Sequence, residues 1–314
     1  PFYPSVENPA QGCFISEPIA RTQDFGIDNH VIAVRPMHRP ARVASGLQAR
    51  AISHNYFCLP GNVGLSTSGA FLARSLRPHL ARAQSRIPFD LIHAHAALPC
   101  GEAAARLSQA LGIPFVVTAH GLDAFSVQQA GPLFRNSCRS ASFRVYKEAS
   151  SVVCISHAVS RQILAEMPLT RTAIIHNGVD ADLFSFGEET SPPTILSVGN
   201  LIPIKGHAVL VRALARILQS NPNCSLEIIG DGPELPHLSA LADNLGIESN
   251  VRFLGAQSRE AVANAMKRCT VFALPSRYEG LGCVYLEAMA CAKPAIGCRG
   301  QGIEEIIEHG KDGL

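Results

Sequence analysis

From Asp90 to the end of the chain, short β-branched, apolar runs alternate with Ala- and Leu-rich stretches of helical length, and this alternation constrains the fold most. Residues 91–95, 114–120, 151–156 and 173–177 read as strands, with helices at 101–111, 132–149 and 157–167 between them. A polar stretch at 185–193, SFGEETSPP, then interrupts with two acids and consecutive prolines, the composition of a linker. Strands follow at 194–199, 224–230, 251–254, 270–275 and 294–298, separated by helices at 205–219, 235–245, 259–268, 283–292 and near 302–308. Such alternation predicts parallel sheets with right-handed crossovers. Two series predict two doubly wound, Rossmann-like α/β domains, at about residues 1–185 and 186–314, facing a cleft. Ligands in such folds sit beyond the carboxyl ends of strands, so the loops there carry the function.

Composition fits this architecture. Apolar residues make up 47% and charged residues 17% of the 314, which suits buried parallel sheet and excludes a disordered chain. No apolar run is long enough to span a bilayer. The chain opens on Pro1 with no basic segment and apolar run of a signal peptide, so a cytoplasmic location is expected. The ten cysteines form no Cys-x-x-Cys pair and read as reduced core thiols. Charge is uneven: residues 1–185 hold 16 basic against 11 acidic side chains, and residues 186–314 hold 11 against 14. No acid lies between Asp28 and Asp90, a span containing Arg35, Arg39, Arg42, Arg50, Arg74, Arg77, Arg82 and Arg86. That segment is either an ordinary solvated face or one that meets an anionic acceptor or the inner membrane surface.

The most informative segment is LPSRYEGLGCVYLEAMA at 274–290. A strand ends at Pro275, Gly280, Leu281 and Gly282 form a turn whose backbone can approach a ligand, and a helix follows. Free N–H groups at that helix start suit a phosphate or a sugar hydroxyl. Glu279 lies in the loop, and Glu287 lies a turn or so into the helix, where a carboxylate can accept two hydrogen bonds from a vicinal diol such as ribose. His93 and His95 alternate on one strand and share a face, but no third ligand stands at a diagnostic metal spacing.

This segment resembles the donor-site signature of the large retaining glycosyltransferase family of the GT-B fold, family 4. VVTAHGLD at 116–123, IIHNGVDADLF at 174–184, LSVGNLIPIKG at 196–206 and LEIIGDGPE at 226–234 fall in that family's order and spacing. FYPSVENPAQG at 2–12 looks like its first loop after the first strand. By this resemblance that strand and the family's C-terminal helices are expected to be missing from the chain. The resemblance implies transfer of a hexosyl group from a nucleoside-diphosphate sugar to a glycan or lipid-linked hydroxyl, with retention of configuration. It implies that Glu279 contacts the transferred sugar, Glu287 the ribose, Lys205 the donor diphosphate, and His120 the sugar hydroxyls near the reaction centre. Gly12 and Gly199 match glycines that let the backbone meet donor or acceptor. The family usually has Arg after the latter glycine, whereas this chain has Asn200, which donates a hydrogen bond without a charge. No tightly bound metal or other cofactor is expected, because Lys205 and the helix start near Gly282 can oppose the diphosphate charge. Domain closure about 185–193 is expected to accompany turnover.

Three other readings compete. A dehydrogenase needs Gly-x-Gly-x-x-Gly, and both Gly280-Leu-Gly282 and Gly230-Asp-Gly232 lack the third glycine. A GT-B sugar-nucleotide epimerase shares the donor chemistry but needs no acceptor. A donor-binding pseudoenzyme or truncated product accounts for Asn200. Nothing in the sequence points to nucleic acid.

Overall fold

The computed structural model describes residues 3–6, 12–40, 42–43, 50–59, 64–126 and 130–314. The chain divides into two compact units, Pro1–Asn177 and Gly178–Leu314. Among the described residues, no helix is long and apolar enough to cross a membrane.

The first unit runs α1 (Cys13–Thr22), β1 (His30–Pro36), β2 (Arg50–Tyr56), α2 (Leu65–Gln84), β3 (Ile92–His95), α3 (Glu102–Leu111), β4 (Phe115–Ala119), α4 (Arg135–Glu148), β5 (Ser151–Cys154), α5 (His157–Leu164) and β6 (Thr172–Ile174). β1 and β2 form a parallel pair, while β3 to β6 form a four-stranded parallel sheet in sequential order. Val34 and Tyr56 pack with Leu72 and Leu76 of α2 and Leu107 of α3 in one apolar cluster. Val117 and Val152, central in β4 and β5, are fully buried, as strands covered on both faces require. Ser156 starts α5 by accepting the Val159 N–H, which satisfies one orphan donor of the first turn.

The second unit runs β7 (Thr194–Val198), α6 (His207–Ile217), β8 (Ser225–Ile229), α7 (Leu235–Asn244), β9 (Val251–Phe253), α8 (Arg259–Arg268), β10 (Val271–Ala273), α9 (Cys283–Ala290), β11 (Ala295–Ile296) and a 3-10 turn at Gly302–Glu305. Its five parallel strands lie in the order β11-β10-β7-β8-β9. Counted from the unit's first strand, that is 3-2-1-4-5 read from the far edge, and the chain reverses direction between β7 and β10. One core cluster joins Leu196, Met266, Phe272 and Tyr285; a second joins Leu201, Val211, Leu226 and Leu238. Helices thus cover both faces of the sheet, and the apolar stripes of α6 and α7 face one side, those of α8 and α9 the other.

The polar stretch at 185–193 is held against the second unit. Lys293, almost wholly buried, donates from Nζ to the Gly187 carbonyl at 2.8 Å, and the Thr190 N–H donates to the Arg268 carbonyl at 3.1 Å. A buried ammonium needs such a partner, so Lys293 fixes this segment. Phe184, just ahead of it, is fully buried in the second unit's core. The division between units therefore falls at Asn177/Gly178, ahead of the boundary that composition suggested.

Candidate functional site

The reversal between β7 and β10 decides where the second unit can hold a ligand. At such a switch point the two following connections pass to opposite faces of the sheet, and their first residues sit side by side at the strand ends, where ligands bind in open α/β sheets. The loop after β7 carries Gly199, Asn200 and Lys205; the loop after β10 carries Glu279 to Gly282. These are loop positions singled out in the sequence, and the sheet order brings them together.

The two loops are docked backbone to backbone. The Arg277 N–H donates to the Ile204 carbonyl at 2.8 Å, and the Arg277 guanidinium reaches the Pro203 carbonyl at 3.3 Å. Gly206 has a φ of 72°, and a Cβ there would strike the Pro275 carbonyl, so only glycine permits this approach. Lys205 sits at the end of the 3-10 turn Pro203–Lys205 and precedes α6 rather than starting it. From there its Nζ donates to Glu279 Oε2 at 2.7 Å. Both side chains are mostly shielded from water, at 20% and 14% exposure, which strengthens their attraction above that of a surface pair. Asn200 beside them is exposed.

Gly282 caps α9 with a φ of 83°, and a Cβ there would press on the Tyr285 ring. Leu281 is fully buried beneath the turn. Tyr285, fully buried, donates from its hydroxyl to the Leu274 carbonyl at 2.5 Å and meets Phe272 edge-on, locking α9 to the end of β10. Glu287 is 3% exposed at its side chain, and Arg259 donates to its Oε1 at 2.5 Å. The same guanidinium lies 4.6 Å from the centre of the Phe184 ring. Glu287 thus lies in the second turn of α9, as its position in the sequence implied, with its carboxylate turned inward onto Arg259.

Three further residues organise these loops and were not found in the sequence. Gln301 Oε1 accepts the Glu279 N–H at 2.8 Å. The Gly302 N–H donates to the Glu279 carbonyl at 3.1 Å, where a Cβ would collide with the Gly280 carbonyl. His207, buried in the first turn of α6, contacts Ser197 Oγ through Nδ1 at 3.2 Å. Its Nε2 faces Gly199, and burial holds the ring down at about 4. A glutamine in a loop and a histidine after Lys-Gly carry no sequence signal; only the tertiary approach reveals them.

In the first unit, register places His93 opposite Val116 and His95 opposite Thr118. Cross-strand neighbours share a face, so His93, His95 and His120 line one side of β3 and β4. His93 and His95 stack at 4.5 Å, His95 and His120 at 5.3 Å, and Phe14 of α1 meets His120 edge-on at 5.0 Å. His95 Nδ1 lies 3.1 Å from His120 Nε2, and His93 Nε2 lies 2.7 Å from Thr118 Oγ1. The His95–His120 contact needs one protonated and one bare nitrogen. Burial lowers all three rings: His93 below its usual range, His95 well below, and His120 to about 4. Stacked planes aim their nitrogens sideways, and among the described residues no set of three or more His, Cys, Asp or Glu side chains is disposed to hold a metal. Asp123 accepts the His120 N–H at 2.8 Å and is buried, which raises its carboxyl to about 6. Gly12 caps α1 in the left-handed region, φ 80°. Phe2 and residues 7–11 of the 2–12 segment lie outside the described residues.

The arginine-rich span is not uniformly a surface. Arg35 is buried, donating to the Tyr3 carbonyl at 2.6 Å, because β1 turns it inward. Arg39, Arg42, Arg74, Arg77, Arg82 and Arg86 are exposed, and the Arg50 side chain lies outside the described residues. A cavity of about 330 Å³ opens among His30, His79, Arg82 and Arg86.

Known proteins resemble both units. Residues 19–183 match the model of Glycosyltransferase Family 4, and residues 179–314 match that of Glycosyl transferases group 1. An uncharacterised glycosyltransferase of Methanocaldococcus jannaschii is 34% identical over 72% of this chain and 60% of its own length. N-acetyl-alpha-D-glucosaminyl L-malate synthase of Bacillus anthracis is 30% identical over 76% and 64%. The chain thus spans somewhat under two thirds of these relatives. Among solved structures, sucrose-phosphate synthase of Thermosynechococcus elongatus superposes with a TM-score of 0.71 at 21% identity, covering 91% of this chain and 75% of that one. HepE of Anabaena, in complex with UDP and glucose, gives 0.69 at 24%, covering 96% and 81%. Sheet order, paired loops and both family models lead to one conclusion: this chain belongs to the GT-B glycosyltransferases, family 4 in its first unit and group 1 in its second.

Proposed function

We propose that the protein transfers a hexosyl group from a nucleoside-diphosphate sugar to a hydroxyl of a glycan or lipid-linked acceptor, with retention of configuration. The observation that carries this reading is the Lys205–Glu279 pair at the β7/β10 switch point. The bond from the anomeric carbon to the diphosphate oxygen breaks, a bond to the acceptor oxygen forms on the same face, and the hydroxyl proton leaves with the diphosphate. Lys205 leaves Glu279 to meet the diphosphate, with the first amides of α9 opposing the same charge. Glu279, released, accepts from the transferred sugar, and Glu287 on the Arg259 side of α9 accepts from the ribose. His120, kept neutral by burial, can exchange hydrogen bonds with sugar hydroxyls without carrying charge. The HepE complex with UDP and glucose supports a donor of this class. The exposed arginines and the basic cavity of α2 fit an anionic acceptor or peripheral contact with an anionic membrane surface. A cytoplasmic site of action accords with this reading.

The test is a thermal-shift screen of the full-length protein against UDP, GDP, ADP and their common hexose conjugates. Stabilisation by one nucleotide, lost in Glu287→Ala, is the expected result. A well-folded sample that responds to none of them would overturn the proposal. Asn200, exposed where the family carries Arg, favours one second reading, a protein that binds the donor without turning it over. Binding without glycosyl transfer or donor hydrolysis would support it.

A further inference from the structure

Gln301 stands at the N-cap of the turn Gly302–Glu305, with extended backbone. Its side chain meets the backbone of Glu279, and the following N–H, that of Gly302, binds the Glu279 carbonyl. Both polar groups of one peptide position in the donor loop are thus held from the 301–302 corner. A backbone N–H can donate only to the oxygen end of a carboxamide, so this contact fixes which end of Gln301 is which. The NH2 end then faces away from the Glu279 N–H with two donors. Among the described residues it makes no hydrogen bond to protein, and the side chain is only half-buried. Beside it, Glu279 and Lys205 compensate each other's charge. A neutral donor locked in orientation next to a charge-compensated pair suits an acceptor oxygen of a polar ligand.

Resting on the sugar-nucleotide reading above, we infer that Gln301 is a donor-binding residue whose NH2 group hydrogen-bonds an oxygen of the hexose diphosphate. The oxygen belongs either to a phosphate or to a hexose hydroxyl. The side chain therefore has two ends with two tasks: its oxygen positions Glu279, and its nitrogen reads the ligand.

Two variants separate those tasks. Gln301→Glu keeps an oxygen for the Glu279 N–H and removes the NH2 donors. Gln301→Met removes both without adding charge, and Gln301→Ser replaces it should the Met variant not fold. The full-length wild type is titrated with UDP, GDP, ADP and their hexose conjugates, and the conjugate that binds is carried to the variants by calorimetry. Both Glu and Met variants are expected to raise its Kd about tenfold. Equal weakening of the free nucleoside diphosphate assigns a phosphate oxygen; weakening of the conjugate alone assigns a hexose hydroxyl. Loss in the Met variant alone would reduce Gln301 to positioning Glu279, and loss in the Glu variant alone to charge repulsion; either overturns the inference, as does unchanged binding in both. If Lys205→Met weakens binding while neither Gln301 variant does, this inference alone fails. If the wild type binds no conjugate, the sugar-nucleotide reading fails and takes this one with it.

Discussion

The two units handle polar groups at their strand ends in opposite ways. In the second, charges are shielded in opposed pairs: Lys205 with Glu279 and Arg259 with Glu287. In the first, the side of β3 and β4 that carries His120 is lined by imidazoles that burial keeps neutral, with Asp123 held by backbone N–H groups. A charged pair can open to exchange one partner for a ligand ion, whereas stacked neutral rings offer hydrogen bonds and little field. The difference teaches that the second unit is built to meet a charged group and the first to meet neutral ones.

The comparison can be broken most forcefully at the buried pair. Glu287→Ala removes one member of the shielded Arg259–Glu287 pair, whose side chains are 17% and 3% exposed, and a loss of about 3 kcal/mol or more in urea unfolding is expected. A loss below about 1 kcal/mol would show that the pair is no better than a surface one. The neutral cluster is tested by acid. His120 is held at about 4 against an ordinary 6.5, so the unfolded chain takes up its proton first as pH falls. Its stabilisation is complete above about pH 6.5 and is lost between there and about 4, on the order of 2–3 kcal/mol. Asp123 works the other way, since its raised carboxyl gains a proton in the folded state between about 6 and 4. His120→Gln should flatten the pH dependence of the unfolding midpoint by up to one proton; an unchanged slope would remove this ring from the account. Next in size, Lys205→Met should raise the Kd for a nucleoside diphosphate by about tenfold to a hundredfold, with a smaller loss of stability than Glu287→Ala because Glu279 keeps more contact with water than Glu287. The smallest effect is a gain. Asn200→Arg should improve donor Kd or kcat by roughly threefold to tenfold by replacing a neutral donor with a charged one, and unchanged kcat and KM would show that position 200 does not meet the diphosphate.

Much of the fold was legible beyond Asp90 because parallel strands buried on both faces are nearly continuous apolar runs. TILSV and SLEII, for example, became β7 and β8. The expected helix at 205–219 begins at His207 because Gly206 takes a left-handed φ and ends the preceding 3-10 turn. Ahead of Asp90, β1 and β2 escaped notice: HVIAVRP and RAISHNY carry Arg, His and Asn and show no clean apolar run. In the candidate site, the glycines and glutamates of one contiguous motif stand out in the sequence as a strand-to-helix turn, which the structure forms. Partners distant in sequence were not, since Lys205 and Glu279 are 74 residues apart and Arg259 and Glu287 are 28 apart. Only the order of strands in the sheet makes them neighbours.

Phe184 gives practical guidance for dissecting the molecule. A recombinant fragment cut at 186, where the polar stretch invites a cut, would discard the aromatic platform beneath Arg259 and leave a ring-sized hole in the core. A fragment starting at Gly178 keeps that ring and the strap that Lys293 fastens. The visible seam in the sequence is therefore the wrong place for the scissors.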